Sequence, residues 1–221
     1  MRIFFGATLP EITKDEIAEL VSSLRLSLRN ARFEGRDKLH ITLQFIGDFS
    51  ADRAGELFES ASSGLAKLPP MASVTEIVGL SYFPNNRVRR GVWLECRDDG
   101  TLARVSQVIK EASSSYGIAP DAREFKPHIT IARMSQPFDA RGRRGDTRGA
   151  FDRSGPMFPE DLQKLLGGGK LSVDRFFPKS VALFESTLKP TGSEYKILYE
   201  YSLEKSENEI TRQGTSDGKG I

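Results

Sequence analysis

The 221-residue chain has only two histidines, and they sit in matching surroundings. His40 stands in Lys38-Leu39-His40-Ile41-Thr42 and His128 in Lys126-Pro127-His128-Ile129-Thr130. The two pentapeptides agree at four of five positions and lie 88 residues apart. Threonine occurs 11 times, so finding it two places after both histidines has chance odds of roughly one in 400. A single His-x-Thr would carry little, because threonine is a good strand former and most lone histidines are satisfied structural residues. Two copies have a chemical use. An imidazole titrates near pH 6.5, so one of a pair can be neutral while the other is protonated. The neutral ring withdraws a proton from an attacking water, and the charged ring delivers one to a departing oxygen. Thr42 and Thr130 can donate hydrogen bonds to non-bridging phosphate oxygens, and Arg133 can offset developing charge. The pattern is symmetric and does not say which histidine is the acid.

Strands must hold these groups. Side chains alternate faces along a strand, so His40, Thr42 and Gln44 are expected on one face and Ile41, Leu43 and Phe45 on a core face. In the second copy His128, Thr130 and Ala132 are set against Ile129 and Ile131. Arg133 breaks that alternation, but it lies near the strand end and has a long reach. If two similar halves pack face to face, two imidazoles and two hydroxyls converge on one groove.

The remaining elements follow from periodicity. Strands are expected over 2–8, 38–47, 74–83, 91–96, 125–133, 171–177, 180–188 and 195–203. Ile17, Leu20, Val21, Leu24 and Leu28 recur at helical spacing in a helix over 11–29. A second helix after Ser50 carries Ala54, Leu57, Phe58, Ala61 and Leu65 on one face. A third carries Leu102, Val105, Ile109 and Ala112, and a short one is expected from Pro159 to Gly167. The stretch 136–158 reads as an exposed Arg/Gly loop. The polar stretch 204–221 reads as a disordered tail, leaving 1–203 as a single domain. Strands interspersed with long helices indicate an α/β or α+β arrangement.

Composition narrows the function classes. Hydrophobic residues make up 38% and charged residues 28% of the chain, enough for a buried core in a soluble protein. Lys and Arg number 32 against 30 for Asp and Glu, a net charge of +2, so an RNA partner must be held by local basic patches. Arg87, Arg89 and Arg90 beside Tyr82 and Phe83 suit phosphate contact plus base stacking. Arg141, Arg143, Arg144, Arg148 and Arg153 are diluted by Asp139, Asp146 and Asp152 and read as a solvated loop. Cys96 is the only cysteine, which excludes an intrachain disulfide and points to the reducing cytoplasm. No apolar run reaches the length of a membrane span. Two histidines and one cysteine make a poor zinc ligand set, and there is no phosphate-binding Gly-x-x-x-x-Gly-Lys-Ser/Thr loop and no Gly-x-Ser-x-Gly turn. Neither a cofactor nor a metal is expected.

The paired His-Ile-Thr strands resemble the signature of the two-histidine (2H) phosphoesterases, specifically the RNA 2',3'-cyclic phosphodiesterases also known as 2'-5' RNA ligases. The likeness extends to 2–10, 40–47, 80–84 with Val92-Trp93, 125–133, and 183–188 followed by Gly192 and Tyr195, in the family's order. It covers roughly residues 1–203; the loop 136–158 and the tail depart from it. The resemblance implies a bilobal α+β fold of two pseudo-symmetric lobes, each with an antiparallel sheet and helices and one His-x-Thr strand. It implies hydrolysis of an RNA terminal 2',3'-cyclic phosphate to a 2'-phosphate, and reversible, ATP-independent 2'-5' joining at the same site. His40 would then donate a proton to the leaving 3' oxygen and His128 accept one from water. Thr42, Thr130 and Arg133 would bind the phosphate. The expected partner is RNA or a nucleotide bearing the cyclic phosphate, handled by a cytoplasmic monomer with no membrane contact. Two other readings stay open: a noncatalytic RNA- or nucleotide-binding module, and a 2H phosphodiesterase acting on a small cyclic phosphate.

Overall fold

The computed structural model describes residues 1–25, 31–69, 74–85, 88–119, 123–139, 175–190 and 192–203, with the side chains of 82–90 and 134–139 left aside. The element order is β1 (Arg2–Thr8), α1 (Glu11–Leu24), β2 (Ala31–Phe33), β3 (His40–Asp48), α2 (Ala54–Leu65), β4 (Thr75–Asn85), β5 (Val88–Arg97), α3 (Thr101–Ser114), β6 (His128–Asp139), β7 (Arg175–Phe176), β8 (Ser180–Lys189) and β9 (Gly192–Ser202).

The helices form where the apolar spacing demands. Pro10 precedes α1, Glu11 opens it favourably against the helix dipole, and Ile17, Leu20, Val21 and Leu24 bury one stripe. The carboxylates of Asp99 and Asp98 accept from the first amides of α3, at Thr101 (3.0 Å) and Leu102 (2.6 Å), which satisfies donors that have no partner inside the helix. Gly100 sits between them at φ 86°, a left-handed value that a side chain would oppose.

Among the described residues the strands form one continuous antiparallel sheet in the order β7-β4-β5-β6-β3-β1-β8-β9, with β2 added to β6. The two histidine strands are neighbours at the middle of this sheet. They meet at one paired step, Ile41 opposite Ile129, and both side chains are fully buried. One half holds β1, β3, β8 and β9; the other holds β2, β4, β5, β6 and β7. The main core lies on one side of the sheet, where Phe5, Leu57, Leu94, Ile109 and Ile17 pack with the two isoleucines. The α+β class and the antiparallel halves expected from the sequence are present.

Several boundaries differ from expectation. The strand expected from residue 38 starts at His40, because Arg36–Lys38 close a turn of 3-10 helix. Helix α1 is described to Leu24, and the last residues of the helix expected over 11–29 lie outside the described residues. Strand β2 has three residues, too few to show an alternating pattern. Strand β6 continues to Asp139, so the first residues of the expected loop are strand. The expected helix over 159–167, the rest of the Arg/Gly loop and the tail 204–221 lie outside the described residues. The side chains of Tyr82, Phe83, Arg87, Arg89 and Arg90 do as well.

Candidate active site

Each histidine is fixed by its own strand in the same way. Nδ1 of His40 donates to the carbonyl of Lys38 at 2.6 Å, and Nδ1 of His128 donates to the carbonyl of Lys126 at 2.8 Å. A carbonyl can only accept, so in each neutral ring the proton is on Nδ1 and the basic lone pair is on Nε2. Nε2 of His40 lies 3.1 Å from Oγ1 of Thr42, which donates to it in that tautomer. The lysine common to both motifs thus contributes its backbone, a role that residue type does not reveal.

Each imidazole also rests against an aromatic ring from a neighbouring strand. His40 meets Phe4 of β1 with ring centres 4.9 Å apart, and His128 meets Trp93 of β5 at 4.6 Å. The His40 side is further enclosed by Phe184 and by Tyr195, whose ring stands edge-on at 5.4 Å. Phe4, Ala182 and Phe184 form a small second core on this face of the sheet. Gly6 makes room for it: a Cβ there would come within 3.1 Å of His40 Cδ2, 3.1 Å of Phe184 and 3.3 Å of the Ile41 carbonyl oxygen.

Burial depresses both rings. The His40 imidazole is held down to about 4, chiefly by lost hydration, with further repulsion from positive charge on His128 and Arg133; the Lys38 carbonyl works the other way. His128 is likewise lowered by burial and partly restored by the Lys126 carbonyl. Both rings are therefore neutral at neutral pH.

The alternation expected along the motif strands fails at the same point in each. In β3 the pairing with β1 steps from Thr42 opposite Gly6 to Gln44 opposite Phe5, leaving Leu43 as an extra residue. In β6 the pairing with β5 steps from Thr130 opposite Trp93 to Ala132 opposite Val92, leaving Ile131 extra. These are β-bulges, each three residues after its histidine. Leu43 and Gln44 are both buried, as are Ile131 and Ala132. Gln44 and Ala132, expected beside the histidines, instead turn to the core. Beyond the bulges Phe45 and Arg133 come onto the histidine face. Arg133 therefore needs no long reach, and Phe45, expected in the core, is 67% exposed. The carbonyls freed by the bulges are satisfied: the hydroxyl of Ser106 donates to that of Leu43, and the amide of Glu34 to that of Ile131.

Nε of Arg133 donates to the largely buried Glu34 carboxylate at 3.0 Å. Sequence reading did not single out Glu34 and placed Phe45 on the core face. The one available signal was that Phe45 and Arg133 occupy equivalent places after the two histidines, so a break in one copy implied a break in the other. On the other flank of His40, the Thr8 and Ser180 hydroxyls are 2.6 Å apart, and Ser180 donates to Glu200. Among the described residues no three His, Cys, Asp or Glu side chains cluster as metal ligands would, and no helix is long and apolar enough to cross a membrane.

Comparison with known proteins points the same way. Residues 13–143 match the family model of the 2'-5' RNA ligase superfamily. The RNA 2',3'-cyclic phosphodiesterase of Aeropyrum pernix is 31% identical over 165 residues, 74% of this chain and 81% of that one. The protein of the same name from Thermotoga maritima is 24% identical over 209 residues, 92% of this chain and 96% of its own. The crystal structure of E. coli LigT complexed with 3'-AMP shares the fold, with a TM-score of 0.61, 21% identity, and coverage of 92% of this chain and 98% of that one. The chain belongs to the 2'-5' RNA ligase superfamily.

Proposed function

We propose that this protein hydrolyses RNA 2',3'-cyclic phosphate ends to 2'-phosphates, with His40 and His128 as an acid–base pair. The observation that carries the reading is the matched pair of imidazoles on adjacent strands, each tied by Nδ1 to a carbonyl so that the basic lone pair is on Nε2. The names of the relatives support the substrate.

In this scheme water attacks phosphorus, Nε2 of His128 accepts its proton, and Nε2 of His40 gives a proton to the departing 3' oxygen. The bond to the 2' oxygen survives, so the product is a 2'-phosphate. A neutral His128 is ready for its part. His40 must first be charged, and the anionic phosphate supplies the field that burial opposes. Proton uptake at His40 thus accompanies substrate binding. Thr42, Thr130 and Arg133 hold the phosphate oxygens, and the exposed ring of Phe45 offers a face for the unstacked terminal base. A 5'-hydroxyl in place of water would give a 2'-5' linkage by the same proton transfers, without ATP. The assignment of donor and acceptor rests on the family resemblance.

The test is incubation with an RNA ending in a 2',3'-cyclic phosphate, followed by identification of the hydroxyl that keeps the phosphate. A 2'-phosphate is expected, and 2'-5' joined product when a 5'-hydroxyl RNA is supplied. A 3'-phosphate product, or tight binding with no turnover, would overturn the assignment.

A further inference from the structure

Beyond the groups around the histidines, one charge on the same face has no assigned task. Arg32, in β2, stands directly opposite Arg133 of β6, and directly opposite residues share a face of the sheet. Two like charges in that arrangement cost stability unless something offsets them. Glu34 offsets only one of them, through its bond to Arg133. Among the described residues no carboxylate pairs with Arg32.

The side chain of Arg32 also leaves its own half of the sheet. Its guanidinium lies against the backbone of Gly192, at the start of β9, where a Cβ would meet Cζ at 3.0 Å and Nη1 at 3.2 Å. Strand β9 belongs to the His40 half, and three residues further along it Tyr195 presents its ring edge to His40. Arg32 therefore reaches across from the His128 half to the start of the strand that also carries Tyr195.

We infer that Arg32 binds the phosphodiester on the 5' side of the terminal nucleotide, and so makes the site prefer RNA ends over free cyclic mononucleotides. The inference rests on the function proposed above and adds a subsite to it. A guanidinium with no carboxylate partner among the described residues suits a diester oxygen pair. Like charges kept opposite each other at a cost in stability are expected where binding uses them. A mononucleotide has no such diester, and its single phosphate is occupied at the histidines.

The experiment compares kcat/KM of the wild type and Arg32→Ala on two substrates: a nucleoside 2',3'-cyclic monophosphate and a short RNA ending in a 2',3'-cyclic phosphate. Arg32→Ala is expected to lower the ratio of RNA to mononucleotide efficiency about tenfold, mainly through KM. It should also flatten the salt dependence of RNA binding by about one phosphate contact, a change of roughly 0.7 in the log–log slope for single strands. An unchanged ratio, or equal losses on both substrates, overturns the inference while leaving the hydrolytic reading intact. A wild-type protein that turns over neither substrate overturns both.

Discussion

The hydroxyl of Ser106, on α3, donates to the carbonyl oxygen of Leu43 in β3 at 2.8 Å, fully out of contact with water. Leu43 is the extra residue of the bulge that turns Phe45 onto the histidine face. Helix α3 thus stabilises the local geometry that presents an aromatic ring on the histidine face. Replacing Ser106 by Ala leaves a buried carbonyl without its donor, which costs about 1–3 kcal/mol. Denaturant unfolding measures that loss. A raised KM for cyclic-phosphate substrates is expected with it, and an unchanged KM would separate the bulge from binding.

His40→Ala and His128→Ala should each reduce turnover of a 2',3'-cyclic phosphate RNA by about 10² to 10⁴. Both rings are anchored through backbone carbonyls, so their removal does not unpick the strands, and circular dichroism should show the fold retained. Near-native turnover in either variant would refute the paired acid–base scheme.

Acid should destabilise the protein through His40. Its folded-state value near 4 lies below the unfolded value of about 6.5, so the unfolded chain takes up that proton first as pH falls. The stability it contributes is complete above pH 6.5 and is lost progressively down to about pH 4. The full span is about 3 kcal/mol at most. His128 is shifted in the same direction. Melting temperatures between pH 4 and 7 should therefore fall less steeply for His40→Gln than for the wild type. Calorimetry of 2'-nucleotide binding in buffers of different ionisation enthalpy should show protons taken up by the protein.

Gly6→Ala should impair catalysis more than folding. The added methyl would crowd Cδ2 of His40 and the Phe184 ring, with the Ile41 carbonyl closing the third side. The backbone cannot yield, so the imidazole must shift by a few tenths of an ångström. A fall in kcat on the order of tenfold with a modest change in melting temperature is the expected result. Full activity would mean that the ring position is less constrained than these contacts require.

The parts legible in the sequence were those written as repeats or periods. Two His-x-Thr copies predicted two strands of matched pattern, though not that they are neighbours in one sheet, and the stripe of Ile17, Leu20, Val21 and Leu24 predicted α1. The bulges were not legible, because Leu43-Gln44 and Ile131-Ala132 differ in chemistry and share only a backbone event. Their consequences, Gln44 and Ala132 turned inward and Phe45 and Arg133 turned outward, were therefore assigned to the wrong faces or explained by reach. Strand β2 escaped for a different reason. Three residues carry no period, and what makes them a strand is pairing with β6, a contact about a hundred residues away in sequence. Arg32 and Glu34 were missed along with it.

The join between the two histidine strands has a catalytic meaning of its own. In the proposed scheme acid and base belong to different halves, and the strands that carry them are paired only where Ile41 faces Ile129. That single buried step then sets how far apart the proposed proton donor and acceptor stand. Trimming either isoleucine would let the halves settle at a new separation, and the reaction would lose its alignment before the sheet lost its order.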